Sequence, residues 1–135
     1  MNKTYAFVAV TKTNDGRVVA GVEFQRLTDE GFLPYWICSW VRDDLKSPSI
    51  RQAVTVILSE SLAAVDPEHT EVEFASFVGP FNRHAEIRDQ LRLYARDGLN
   101  VRLRFEQRHI IVRRSDALEL ANDALRRGTT ISMPV

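Results

Sequence analysis

Apolar and polar positions along the first 42 residues alternate in short runs that end at turn-forming residues. Residues 4–12, "TYAFVAVTK", are β-branched and aromatic with few charges and predict a first strand. Asp15-Gly16 marks a tight hairpin, residues 17–26 predict a second strand, and "LTDEGFLP" predicts a loop. Residues 35–42, "YWICSWVR", predict a third strand and so an antiparallel meander. The spacing then changes. Ile50, Ala53, Val54, Ile57, Leu58 and Leu62 recur at helical intervals, with Ser47 or Ser49 as a cap, Pro48 in the first turn and Asp66-Pro67 as the stop. "EVEFASFVG" predicts a fourth strand. A second helix follows in "NRHAEIRDQLRLYARDG", with Asn82 as its cap, Ile87, Leu91 and Tyr94 apolar, and Gly98 after its end.

Residues 101–109, "VRLRFEQRH", place Val101, Leu103 and Phe105 on one face of an extended chain and Arg102, Arg104 and Glu106 on the other. They predict a fifth strand ending at His109. "RSDALELANDALRRG" predicts a last helix, started by Ser115 or Asp116 and stopped by Gly128. The order is βββαβαβα, an α/β arrangement with a five-stranded mixed sheet and helices on its faces. Residues 1–128 are expected to form a single domain, and 129–135 a C-terminal tail.

Composition narrows the class. The 135 residues are 44% hydrophobic and 27% charged, with no apolar stretch long enough for a membrane-spanning helix. The start of the chain is read as a strand and not a signal peptide. Cys38 is the single cysteine, which precludes an internal disulfide or a Cys-rich zinc site and suits a cytoplasmic protein. Its apolar neighbours predict burial, on one face with Trp36 and Trp40. Charge is uneven along the chain. Residues 1–82 carry 7 Lys and Arg against 11 Asp and Glu, whereas residues 83–135 carry 11 Arg against 7 acids. Arginine favours forked contacts to phosphate or carboxylate, so nucleic acid or an acidic protein is the partner this half suggests. The candidate binding residues are Arg83, Arg88, Arg92, Arg96, Arg102, Arg104, Arg113 and Arg114. Arg88, Arg92 and Arg96 are expected to form one helical stripe. His69 is read as a loop residue and His84 as solvated. Three scattered histidines give no metal-site spacing. No glycine-rich phosphate loop and no strained elbow around a serine is present.

The element order resembles the ribonuclease H fold. The likeness is sharpest from residue 101 to 125, where a strand of alternating apolar and charged residues, a histidine, and a helix holding "LANDA" (120–124) follow one another. The resemblance implies two-metal hydrolysis of the RNA strand of an RNA–DNA hybrid, with four carboxylates around two Mg²⁺ ions. One acid belongs in the first strand, one in the first helix, one at the end of the fourth strand and one in the last helix. Here those places fall on Phe7, Val8, Ala9 and Val10, on Arg51 or Gln52, on Ala75, Ser76 and Phe77, and on Leu118 or, with a one-residue shift, Glu119. At most one carboxylate survives. His109 matches the family's loop histidine, and with Glu119 it completes the residual family positions. The expectation is a catalytically degenerate domain that binds nucleic acid or a protein partner, with no cofactor. Two alternatives stand beside it. One is a metal-dependent hydrolase using Mg²⁺ on displaced carboxylates such as Asp43, Asp44 and Glu23. The other is a self-associating structural protein, for instance a homodimer using an outward aromatic patch.

Overall fold

The computed structural model describes residues 2–45 and 49–135. Strands β1 (Lys3–Lys12), β2 (Val18–Thr28) and β3 (Gly31–Arg42) form the expected antiparallel meander. The loop expected over residues 27–34 shrinks to the turn at Asp29 and Glu30. The Thr28 hydroxyl closes it by donating to the Gly31 carbonyl (2.9 Å) and accepting from the Glu30 amide. Helix α1 (Ile50–Ser61) starts in a capping box, in which Ser49 Oγ accepts from the Gln52 amide and Gln52 Oε1 accepts from the Ser49 amide. The other expected start signals, Ser47 and Pro48, lie outside the described residues. Strand β4 (Glu71–Ser76) runs parallel to β1, helix α2 spans Ala85–Tyr94, and strand β5 (Asn100–Phe105) runs parallel to β4.

The last third departs from expectation. The fifth strand stops at Phe105, so His109 does not end it. Residues expected as a loop form helix α3 (Arg108–Arg114), because Ile111 turns inward into a buried cluster and Ser115 Oγ donates to the Ile111 carbonyl at its end. Helix α4 (Ala117–Arg127) follows, closed by Gly128 in the left-handed conformation (φ 74°). The segment expected as a tail supplies a sixth strand, β6 (Ile131–Pro134), antiparallel to β3. Among the described residues the sheet therefore has six strands, not five, in the spatial order β5-β4-β1-β2-β3-β6, and the chain order gains a helix and a terminal strand.

The sheet separates two apolar layers. Val8, Val22, Phe24, Val72, Phe74, Val101 and Leu103 point toward α1 and α2, where Ile57, Leu58, Ile87 and Leu91 meet them. Cys38 is buried in this layer, with Trp36 and Trp40 packed beside it as their shared face predicts. Tyr94, expected on the apolar stripe of α2, is instead exposed beside Leu93. On the other side, Phe7, Ala9 and Ala75 meet Ile111, Ala117 and Ala121 of α3 and α4. Helix α4 lies so close to β2 that a β-carbon on Gly21 would overlap the Ala117 carbonyl oxygen and stand 2.7 Å from Leu120 Cβ. Ser39 Oγ, on β3, donates to the Leu120 carbonyl and holds the same helix down.

Candidate nucleic-acid interface

The fold brings together the first-strand, fourth-strand and last-helix positions at which the sequence resemblance requires carboxylates and lines the cluster with hydrocarbon, while the buried Ser76 Oγ donates to the Val8 carbonyl (2.6 Å). Phe7 and Ala9 of β1, Ala75 of β4 and Phe77 just beyond it share one cluster with Ile111 and Leu118. Val8 and Val10 turn to the opposite layer. At the start of α1, Gln52 is engaged in the capping box, and the Arg51 guanidinium donates to the Arg83 carbonyl (3.0 Å). Two further cations sit over the aromatic rings. The Arg114 guanidinium lies 5.0 Å from the Phe7 ring and 4.7 Å from the Phe32 ring, and Arg108 lies 5.7 Å from Phe77. A pair of hard dications needs several anionic oxygens around it, so these residues do not fit one.

The surviving family positions do not rebuild the site. Glu119 and His109 are both exposed, on α4 and α3 respectively. The displaced-carboxylate set does not assemble either. Asp44 forms a two-bond fork with Arg42 at 2.8 Å, which holds its carboxyl below the usual range, and Arg42 also pairs with Glu60. Glu23 lies beneath the start of α4, where its carboxylate accepts from Gln25 Nε2 (2.5 Å) and the Asp116 amide (3.3 Å). Burial pushes its pKa up, against the effect of those two donors. Among the described residues no three His, Cys, Asp or Glu side chains converge as a metal site.

The eight candidate arginines divide into groups. Four of them line a shallow groove of about 440 Å³ along the outer edge of β5, the last strand of the sheet on that side. Arg88 and Arg92 reach it from α2, and Arg102 and Arg104 from β5, with His84 and Glu73 between them. Arg83 is exposed in the turn just before His84. The expected helical stripe is cut short: α2 ends at Tyr94, and Arg96, beyond it, donates to the Asp66 carbonyl (2.8 Å) and the His69 carbonyl (2.5 Å). Arg113 and Arg114 sit on α3, in the layer opposite α2, beside a separate hollow of about 310 Å³ that holds Glu23 and Asp116.

Each groove arginine has a carboxylate nearby. Arg102 Nε lies 2.6 Å from Glu71, Arg104 Nε 3.2 Å from Glu73, Arg88 Nε 3.7 Å from Asp89, and Arg92 3.9 Å from Asp89. Arg102 remains 62% exposed and Arg92 51% exposed. Exposed pairs of this kind contribute about 0–1 kcal/mol each, little enough for a phosphate to compete with them. Two polar atoms of the groove residues, His84 Nδ1 and Arg88 Nε, are buried with no hydrogen-bond partner among the described residues. His84, expected to be solvated and to follow an Asn82 cap, is half-buried and itself occupies the cap position of α2.

Sequence reasoning missed a polar network where β1 begins and the chain turns into β4. His69, expected as a plain loop residue, is buried. Its Nδ1 lies 2.6 Å from Thr4 Oγ1, and its Nε2 lies 3.7 Å from the Asp66 carboxylate. Desolvation lowers its pKa, with Asp66 opposing. The three-residue spacing of Asp66 and His69 was the one available signal, and it carries no weight without Thr4, which is 65 residues away.

No helix among the described residues is long and apolar enough to cross a membrane. No protein-family model matches the chain, and no curated protein does. Among solved structures it is similar to RNase H1 from the halophilic archaeon Halobacterium salinarum NRC-1, at 13% identity over 93% of this chain and 98% of that one, with a TM-score of 0.58. It is also similar to LC9-RNase H1, a type 1 RNase H with the type 2 active-site motif, at 13% identity over 97% of this chain and 76% of that one, with a TM-score of 0.56. Taken with the sheet order and the two helical layers, these likenesses show that the chain has a ribonuclease H-like α/β fold.

Proposed function

We propose that this chain is a ribonuclease H-like domain that binds nucleic acid without cleaving it, with phosphates running along the β5 edge. The observation that carries the reading is the groove that gathers Arg88, Arg92, Arg102 and Arg104 beside a strand edge that no further strand covers among the described residues. Guanidinium groups recognise phosphate with paired donors, and the edge adds backbone N–H groups. The apolar cluster at the family's acid positions supports the non-catalytic half of the proposal. The two solved structures compared above are RNase H1 proteins by name, which supports nucleic acid as the ligand class.

The test is fluorescence anisotropy with a labelled RNA–DNA hybrid, between about 50 and 200 mM salt. Affinity is expected to fall steeply with salt. The double substitution Arg92→Ala, Arg102→Ala is expected to flatten the log–log slope by about 2, near 0.9 for each lost phosphate contact. Unaltered affinity in that variant sinks the groove. Cleavage of the hybrid with Mg²⁺ or Mn²⁺ present sinks the non-catalytic reading.

A further inference from the structure

A second hollow, of about 470 Å³, opens on the other half of the sheet, toward the β3–β6 edge. Tyr35 and Trp36 of β3, Ala64 after α1 and Pro134 of β6 form its apolar wall, and Arg26 and Asp66 are its charged groups. That volume lies within the range of small-molecule sites, which are mostly apolar with a few placed polar groups.

The wall is held before any ligand arrives. Tyr35 Oη accepts from the Asp66 amide (3.0 Å), donates to the Ala64 carbonyl (3.2 Å) and meets Thr4 Oγ1 (3.0 Å). Trp36 Nε1 donates to Ser132 Oγ on β6 at 2.8 Å, which fixes the indole. The Arg26 guanidinium lies over the Tyr35 ring, 4.5 Å from its centroid, and a guanidinium carries five N–H donors in a fixed fork. Its contact with Asp66 Oδ2 is 3.4 Å, and its side chain is 44% exposed. Asp66 Oδ1 accepts one bond, from the Glu68 amide, so the carboxylate keeps acceptor capacity. Arg96 stands behind Asp66 with its head on two carbonyls, which tips the local balance positive.

We propose that this hollow binds a nucleotide: the base rests against Trp36 and Pro134, its amino edge donates to the Asp66 carboxylate, and its phosphate accepts from Arg26, which the Tyr35 ring holds in place. A flat ring, a donor edge and an anion are the three features that the wall, the carboxylate and the guanidinium complement. Guanine suits the carboxylate best, because its ring N–H and amino group donate side by side. Preformed walls lower the ordering cost of binding. A free mononucleotide and the phosphorylated end of a strand share this chemistry. The site lies on the opposite half of the sheet from the arginine groove and does not depend on it.

The experiment is a titration of the intact chain, followed by amide chemical shifts, with GMP, guanosine, UMP and a 5′-phosphorylated tetranucleotide. Saturable shifts at Tyr35, Trp36 and Ala64 are expected with GMP. Guanosine and the Arg26→Ala variant are each expected to bind at least roughly tenfold more weakly, from loss of the charge-assisted bonds. Asp66→Asn is expected to remove the preference for GMP over UMP, and the amide spectrum of each variant reports directly whether it is folded. Tighter binding of the tetranucleotide at the same residues makes a strand end the ligand, and weaker binding makes it the free nucleotide. No saturable shift with GMP or UMP up to about 10 mM overturns the proposal, as does full affinity in folded Arg26→Ala. Failure of hybrid binding at the β5 groove leaves these outcomes unchanged.

Discussion

Single side chains decide what the central cluster can do. Phe7, Ala75 and Phe77 converge from two strands, and with no carboxylate among them the guanidinium groups of Arg108 and Arg114 rest over their rings. A cation held over an aromatic face repels a second cation, so the chemistry of the place is inverted and not merely weakened. Gly21 is the corresponding choice in packing. It lets α4 approach the sheet, and Gly21→Ala forces a methyl group into the Ala117 carbonyl and against the Leu120 side chain. Overpacking of this sort costs about 1–3 kcal/mol. A urea titration of Gly21→Ala should show a lower midpoint with an unchanged slope. A midpoint equal to that of the parent would mean that α4 does not sit where the structure puts it.

At the scale of elements, the strands and helices with long periodic patterns were legible, and the last third was legible only in part. The meander, α1, β4 and α2 show alternation or helical spacing over many residues, and each has a turn or cap signal at its end. Helix α3 is seven residues long with one fully buried side chain, Ile111, so no period could reveal it. Strand β6 is four residues long and ends in Pro134. Its identity depends on β3 offering Trp36, Cys38 and Ser39 as partners about 95 residues earlier in the chain. Its contribution is nevertheless specific. Ser132 Oγ takes the Trp36 indole N–H and lies 3.3 Å from Cys38 Sγ, and Thr130 bonds the Val41 amide and carbonyl. Burial in the core layer, with Ser132 of this neighbouring strand against the sulfur, raises the Cys38 thiol pKa and keeps it from solvent. Ending the chain after Gly128 is therefore expected to speed modification of Cys38 by a thiol reagent by about tenfold or more, since the reactive thiolate needs access. An unchanged rate would show that β6 does not cover this edge.

At the scale of the whole molecule, the uneven charge along the chain does not become two charged halves, and the reason lies in sheet register. Parallel pairing of β4 with β5 sets Glu73 opposite Arg102 and Ala75 opposite Arg104, so the acids of the first part stand among the arginines of the second. Arg102 meets Glu71, Arg104 meets Glu73 and Glu106, and Lys3 lies 3.6 Å from Glu73. A count of charges by segment could suggest a basic surface, but only the register shows how much of it is already answered. The β5 groove is thus a restrained site, in which Glu73 both orders the arginines and opposes an arriving phosphate. If phosphates run along this edge, removing that carboxylate helps them. Glu73→Gln is expected to raise affinity for an RNA–DNA hybrid several-fold at about 50 mM salt, with the gain shrinking at about 200 mM as screening shortens. The pairs it breaks are partly exposed, so stability should change by no more than about 1 kcal/mol. Weaker hybrid binding by Glu73→Gln, in a protein that unfolds at the same urea concentration as its parent, would mean that the carboxylate positions a ligand other than a phosphate chain, and the groove would need a different partner.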